Sequence, residues 1–73
     1  MVKLPVLSGE ELVGALKRAS FVQVGQKGSH VSLHKGKLRT VVPLHRELSK
    51  GTLAAILRQC GLSKEGLMDL LKK

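Results

Sequence analysis

The sequence predicts an α+β fold in which one helix is followed by three antiparallel strands and then by two further helices. Three observations support this order. A helix-capping signature precedes an apolar stripe of helical spacing near the N-terminus. Residues 21–42 then alternate between apolar and polar types, and two turn signals that each contain a glycine interrupt the alternation. Helical spacing returns after residue 49 and continues, across one glycine, towards the C-terminus.

The first helix has a start signal in the segment Ser8-Gly9-Glu10-Glu11. The Ser8 hydroxyl is placed to accept a hydrogen bond from the Glu11 amide, and the Glu11 carboxylate to accept one from the Ser8 amide. The leucines that flank this segment occupy the positions of a hydrophobic staple. The helix is predicted from about Gly9 to Ala19, with an apolar stripe formed by Leu12, Ala15, Leu16 and Ala19.

Three short segments with alternating character are predicted to be strands. They are Phe21–Gln26, His30–His34 and Lys37–Val42, and a proline follows the third. Tight turns are predicted at Lys27-Gly28 and at Lys35-Gly36. These turns are short enough to join neighbouring antiparallel strands.

The pairing of the second and third strands follows from the length of their turn. A two-residue turn puts Leu33 opposite Leu38 and Val31 opposite Thr40, whereas a three-residue turn mixes apolar and polar side chains on both faces. The predicted buried face carries Val31, Leu33, Leu38, Thr40 and Val42. The predicted opposite face carries His30, Ser32, His34, Lys37, Arg39 and Val41.

The C-terminal part of the chain is predicted to form two helices. The first begins at Ser49 or Lys50 and ends at Gly61, a typical helix-terminating glycine. Ser63 is placed to cap a short last helix. The result is a three-stranded antiparallel sheet with helices on one face, in the α-β-β-β-α order of the double-stranded RNA-binding domain (dsRBD). We expect residues 1–73 to form a single dsRBD-like domain.

The composition indicates a basic, aliphatic protein with a polyanionic partner. The net charge is +8, from 13 Lys and Arg against 5 Asp and Glu, in a chain of only 73 residues. A single cysteine, Cys60, excludes an internal disulfide, and its position on a helical stripe favours a core residue. With no apolar run long enough to span a bilayer and no signal peptide, we expect a cytoplasmic protein without a membrane partner.

The candidate functional residues lie between Glu11 and Glu47, a stretch that contains no acidic residue. All three histidines of the chain are in this stretch, and the first follows a glycine and a serine. Imidazole suits proton transfer near neutral pH, and a field of positive charge holds phosphates. The stretch contains His30, His34, His45, Lys17, Arg18, Lys27, Lys35, Lys37, Arg39 and Arg46.

These residue types suit the cleavage of RNA, which carries its own nucleophile in the 2′-hydroxyl. The reaction needs a base, an acid and cations around the phosphate, and it requires no metal. His30 is the candidate catalytic residue, and the candidate RNA-binding residues are Lys27, Gly28, Ser29, Lys35, Lys37 and Arg39. His34 and His45 are possible accessory groups, although an exposed histidine is more often an ordinary surface residue.

Other chemistries fit the sequence less well. No paired carboxylates accompany the histidines, so a magnesium-dependent nuclease lacks its ligands. A zinc site is disfavoured by the positive surroundings, and no nucleotide-binding loop is present. We therefore expect neither a metal nor a small-molecule cofactor. Two other functions stay open, namely a non-catalytic RNA-binding module and a protein-interaction domain with a basic face.

Several segments together resemble the HicA family of bacterial and archaeal toxins, which are mRNA interferases. They are Ser8-Gly9-Glu10-Glu11-Leu12, Lys27-Gly28-Ser29-His30, Val42-Pro43-Leu44-His45 and Gly51-Thr52-Leu53-Ala54-Ala55-Ile56-Leu57, with the turn Gly61-Leu62-Ser63. The resemblance implies a dsRBD-like fold and metal-independent cleavage of mRNA by the histidine of the Gly-Ser-His element, here His30. It also implies a HicB-type antitoxin that binds this protein and covers or disables its active site.

The chain departs from this family pattern at two positions. Ser20 stands where the family usually has a glycine before the phenylalanine, and such a position often requires a left-handed backbone. Leu67 stands where the family commonly has a phenylalanine in the last helix. Both departures are expected to change packing and to leave the candidate site untouched.

Overall fold

The computed structural model describes residues 4–72 and confirms the predicted order of helices and strands within them. The elements are α1 (Gly9–Arg18), β1 (Val22–Lys27), β2 (His30–Lys35), β3 (Leu38–Pro43), α2 (Lys50–Cys60) and α3 (Lys64–Leu71). The strands form one antiparallel sheet of order β1-β2-β3. This is the predicted α+β architecture of dsRBD-like type. No helix in residues 4–72 is long and apolar enough to cross a lipid bilayer.

The capping signature of α1 works as the sequence predicts. The Glu11 amide donates to the Ser8 hydroxyl at 3.1 Å, and the Ser8 amide donates to Glu11 Oε1 at 3.0 Å. Leu7 and Leu12 are both buried, as a hydrophobic staple requires. These contacts fix the start of the helix and the direction from which the chain enters it.

The chain leaves α1 through a left-handed residue. The helix ends at Arg18, one residue earlier than predicted, and Ser20 has a φ angle of +74°. The Phe21 amide then donates to the Leu16 carbonyl at 2.9 Å, which closes the end of the helix. Ser20 therefore holds a conformation that glycine adopts more readily than serine.

The predicted pairing between β2 and β3 was wrong by two residues. Leu33 lies opposite Thr40, and Leu38 lies opposite Lys35 at the end of the hairpin. The turn has two residues, as predicted, but they are Gly36 and Lys37, because Gly36 supplies the positive φ angle of +59°. A shift of two residues keeps the side chains within the paired strands on their predicted faces, but Lys37, predicted on the polar face of the third strand, lies in the turn. Leu38, predicted to be buried, is 39% exposed because it lies next to the turn.

The core lies between one face of the sheet and the helices. The strands contribute Val31, Leu33, Thr40 and Val42, all of which are buried. Helices α1 and α2 pack over β3, and α3 packs against α1. The helices and their flanking segments contribute Leu7, Leu12, Val13, Ala15, Leu16, Phe21, Leu48, Leu53, Ile56, Leu57, Cys60 and Leu67. This arrangement leaves the other face of the sheet free of helices.

The ends of α2 and α3 follow the predicted signals. Ser49 caps α2 by accepting from the Thr52 amide, and Ser63 caps α3 by accepting from the Gly66 amide. Gly61 ends α2 with a φ angle of +67°, and the Leu62 amide donates back to the Leu57 carbonyl at 2.9 Å. A glycine is needed at this helix end because the backbone is left-handed there.

Candidate functional site

The open face of the sheet, which we define as the face turned away from the helices, carries most of the candidate side chains. His30, Ser32 and His34 project from this face of β2, and Arg39 and Val41 from β3, because alternate residues of a strand share a face. The three strands contain no acidic residue. The open face is therefore basic and can attract an anionic partner.

His30 lies at one end of this face, at the first position of the central strand. It is exposed and pairs with Lys27 of β1 on one side and with Pro43 of β3 on the other. Side chains of directly opposed residues in antiparallel strands start only about 5 Å apart. Among the cationic residues that the sequence predicts to bind RNA, Lys27 is thus the one that the fold places closest to His30.

The turn that leads into His30 consists of Gly28 and Ser29. Gly28 has a φ angle of +57°, and its carbonyl accepts a hydrogen bond of 3.1 Å from the Gln26 side chain. The Ser29 carbonyl accepts from the Leu44 amide at 2.6 Å. Gly28 and Ser29, which the sequence predicts to bind RNA, therefore lie next to His30. A hydrogen bond from β1 holds Gly28, and a hydrogen bond from the segment after β3 holds Ser29.

The segment that follows β3 is anchored against the start of α1. The Gly9 amide donates to the His45 carbonyl at 2.9 Å. A side chain at Gly9 would collide with the Pro43 carbonyl and would lie 2.8 Å from the Leu44 Cα atom. The segment holding His45 thus leaves the sheet at the His30 end, and the His45 side chain is exposed. This role of Gly9 could not be predicted from the sequence, because glycine is common at helix starts for other reasons.

The other candidate residues gather at the opposite end of the open face. His34 is half-buried and lies opposite Arg39, while Lys37 belongs to the turn beyond them. His34 lies four positions along the strand from His30, a distance of about 13 Å. The structure therefore does not bring His34, Lys37 or Arg39 next to His30.

Lys35 lies on the other side of the sheet. It follows Val31 and Leu33 in the alternation of β2, and its Nζ atom lies 6.0 Å from the centre of the Phe21 ring. That distance is within the range of a cation–π contact. Among the predicted RNA-binding residues, Lys35 is thus the one directed away from the open face.

An open depression of about 580 Å³ lies at the His34 end, on the open face and at the free edge of β3. Its walls include Val24, Ser32, His34, Arg39, Val41 and, from α2, Gln59. The Thr40 hydroxyl donates to Gln59 Oε1 at 2.7 Å. Val24 and Gln59 could not be predicted as site residues from the sequence, because a bulge in β1 and a contact between α2 and β3 place them here.

Cys60, the last residue of α2, is a core residue with a raised thiol pKa. Cys60 is 3% exposed, and burial raises the pKa of its thiol above the ordinary value, with a smaller opposing effect from a hydrogen bond to Thr40. The thiol therefore stays protonated at neutral pH. The position of Cys60 in the core confirms the sequence interpretation. Within residues 4–72, no three or more histidine, cysteine or acidic side chains gather where they could hold one metal ion.

The comparison with protein families matches residues 9–62 to the HicA toxin of bacterial toxin–antitoxin systems. The chain belongs to the HicA family. The match begins at the first residue of α1, includes all three strands and ends just after α2. A HicA protein is the toxin of such a system. This chain therefore has the role of a toxin, and the kind of partner that the family implies is an antitoxin. Among curated proteins, no relative matches the chain.

Proposed function

We propose that this HicA-family toxin is a metal-independent endoribonuclease that cleaves mRNA, with His30 as a general base or acid. The observation that carries the proposal is the position of His30, exposed at the end of the open face and directly opposite Lys27. A histidine supplies proton transfer, and a neighbouring ammonium stabilises negative charge on a phosphate. The absence of acidic residues from the three strands keeps this surface attractive to RNA.

The proposed reaction uses the 2′-hydroxyl of RNA as the nucleophile. Its oxygen forms a bond to the phosphorus while the bond from phosphorus to the 5′-oxygen breaks, so the products end in a 2′,3′-cyclic phosphate and a 5′-hydroxyl. His30 either removes the proton from the 2′-hydroxyl or donates one to the departing 5′-oxygen. Lys27 and the amides of the Gly28-Ser29 turn hold the phosphate as its charge develops.

We further propose that the antitoxin partner is of the HicB type and that it covers the His30 end of the open face. Covering this end blocks both the histidine and the cationic groups around it. Because the proposed substrate is mRNA, the protein acts in the cytoplasm.

The proposal is tested by comparing wild type with His30→Ala and His34→Ala on a long single-stranded RNA in EDTA. We expect wild type to cut, His30→Ala to lose at least about 100-fold in rate, and His34→Ala to lose far less. His34 is the matched control because it lies on the same face of the same strand. Full loss of wild-type cleavage in EDTA, or cleavage by His30→Ala at the wild-type rate, contradicts the proposal.

A substrate with a single 2′-deoxynucleotide at the main cut site gives an independent test of the nucleophile. We expect cleavage to stop at that site and to continue at the others. Cleavage at the deoxy position would require an external nucleophile and would contradict the proposed reaction.

A second candidate function is a non-catalytic RNA-binding module. It is favoured by the distance of about 13 Å between His30 and His34, which leaves no second histidine of β2 beside the first. The two functions differ in what His30→Ala changes. Loss of turnover with unchanged RNA affinity identifies the nuclease, whereas weaker binding by a protein that never cuts RNA identifies the module.

A further inference from the structure

We propose that the depression at the His34 end of the open face is a pocket for one unpaired nucleobase of RNA, read by the side-chain amide of Gln59. This inference rests on the proposed endoribonuclease function and adds a specificity-determining residue to it. Four observations support it, namely the lining of the depression, the orientation of Gln59, the surrounding charge and the distance from His30.

The lining of the depression matches the character of a nucleobase. Val24 and Val41 are 59% and 49% exposed, so their apolar surfaces are available for contact. Ser32 and Arg39 add polar groups beside them. A nucleobase has apolar faces and polar edges, and a pocket of mixed lining that opens at a strand edge can accept both.

The Gln59 amide is oriented by a buried threonine. Thr40 is 5% exposed, and its hydroxyl donates to Gln59 Oε1 at 2.7 Å. Because that oxygen is engaged by Thr40, the Nε2 group is the part of the amide left to donate to a ligand. Gln59 itself is exposed and lines the depression, so its N–H groups are accessible there.

The hydrogen-bonding groups in the depression favour a base that carries a carbonyl oxygen, and not an amino group, at the position of guanine O6 or uracil O4. Gln59 Nε2 and the Arg39 guanidinium are both donors. Guanine O6 and N7 and uracil O4 accept such bonds, whereas adenine and cytosine present amino groups at the positions of guanine O6 and uracil O4, respectively. We therefore expect guanine or uracil in the pocket and discrimination against adenine.

The surrounding charge and position identify the occupant as single-stranded RNA. The strands around the depression carry basic residues and no acidic ones, which suits a phosphate backbone. In an A-form duplex, guanine O6 and N7 and uracil O4 face a deep, narrow major groove that side chains cannot read, so the base must be unpaired. The pocket lies about 13 Å along β2 from His30, so the base that it holds lies a short distance from the bond that is cut.

The test compares the cut sites of wild type, Gln59→Glu and Gln23→Glu on one long single-stranded RNA. Glutamate at position 59 keeps an oxygen for Thr40 but replaces the donor groups with an acceptor. Gln23→Glu is the matched control, since it changes the net charge equally at an exposed position of β1 outside the depression. Circular dichroism checks that both variants fold.

We expect Gln59→Glu to change the relative rates at sites that differ in one base by about tenfold, away from guanine and uracil. Gln23→Glu should keep the wild-type pattern. The same comparison is made for binding in a His30→Ala background, with short RNAs that differ at one position and with the same RNAs annealed to their complements. Duplex RNA is expected to bind more weakly in this assay.

The outcomes separate this inference from the proposed function. If wild type cuts RNA but Gln59→Glu and Gln23→Glu show the same pattern and the same affinities, the base pocket is wrong and the nuclease stands. If neither wild type nor any variant cuts RNA, but Gln59→Glu alone changes the base preference in binding, the base pocket stands and the proposed nuclease function is wrong. Equal binding of single-stranded and duplex RNA overturns the pocket.

Discussion

Ser20 shows at the scale of one residue how this chain departs from its family pattern. Its φ angle of +74° lies in the left-handed region, where an L-amino acid costs about 1–2 kcal/mol. We expect Ser20→Gly to raise the free energy of unfolding by about 0.5–1 kcal/mol, because relief of this strain exceeds the extra entropy that glycine gives the unfolded chain. Chemical denaturation measures the change.

Ser29→Gly is the matched control for this prediction. Ser29 is also an exposed serine at a turn, but its φ angle is not positive. Glycine at position 29 relieves no backbone strain and only adds conformational freedom to the unfolded chain. We therefore expect no increase in the free energy of unfolding for Ser29→Gly. A gain at position 29 as large as that at position 20 would show that backbone strain is not the cause.

The residue scale is also where the candidate site was easiest to predict. Lys27, Gly28, Ser29 and His30 are contiguous in sequence, so their proximity follows from the chain itself. Gln59 could not be found in this way, because its contact with Thr40 joins residues 19 positions apart in different elements. Whether His30 acts in catalysis stays a prediction until its variants are assayed.

At the scale of elements, the predicted faces were right although the predicted register was wrong. Burial of Val31, Leu33 and Val42 decides which face turns to the helices, and the sequence alternation carries that information. The register depends on whether the turn begins at Lys35 or Gly36. Both choices keep the same residues on the buried face, so apolar patterning has no power to distinguish them.

The contact between α1 and the segment after β3 leads to a prediction about two helix-start glycines. A Cβ at Gly9 would collide with the Pro43 carbonyl, whereas a Cβ at Gly51 in the first turn of α2 would meet no heavy atom within 4 Å beyond its chain neighbours and the local helix backbone. We expect Gly9→Ala to lower the free energy of unfolding by about 1–3 kcal/mol. We expect Gly51→Ala to raise it by up to about 1 kcal/mol through helix propensity.

Thermal and urea unfolding of the two variants test this element-scale argument. The pair controls for the glycine-to-alanine change itself, since both positions lie in the first turn of a helix. If Gly9→Ala is as stable as Gly51→Ala, the start of α1 does not pack closely against the segment that carries His45. The anchoring of that segment beside His30 would then need another explanation.

At the scale of the whole molecule, the fold separates a layer of helices from a basic open face. The dimensions of about 34 × 25 × 21 Å exceed the Debye length of about 8 Å at physiological salt. Charges on the helical side are therefore screened from an RNA bound to the open face. The net charge of +8 alone does not set affinity, and its distribution decides which lysines contact phosphates.

This separation predicts different effects for two lysines. Lys27 lies opposite His30 on the sheet, while Lys64 begins α3 in the helical layer. Each phosphate contact of single-stranded RNA contributes about 0.7 to the slope of log affinity against log salt. We expect Lys27→Ala in a His30→Ala background to reduce the slope by about 0.7, and Lys64→Ala in the same background to leave it nearly unchanged. Fluorescence anisotropy titrations across a salt series measure both slopes. Each variant loses one positive charge, so the pair controls for the change in net charge. Equal slopes would mean that RNA binding depends only on the total charge of the protein and not on where the lysine lies.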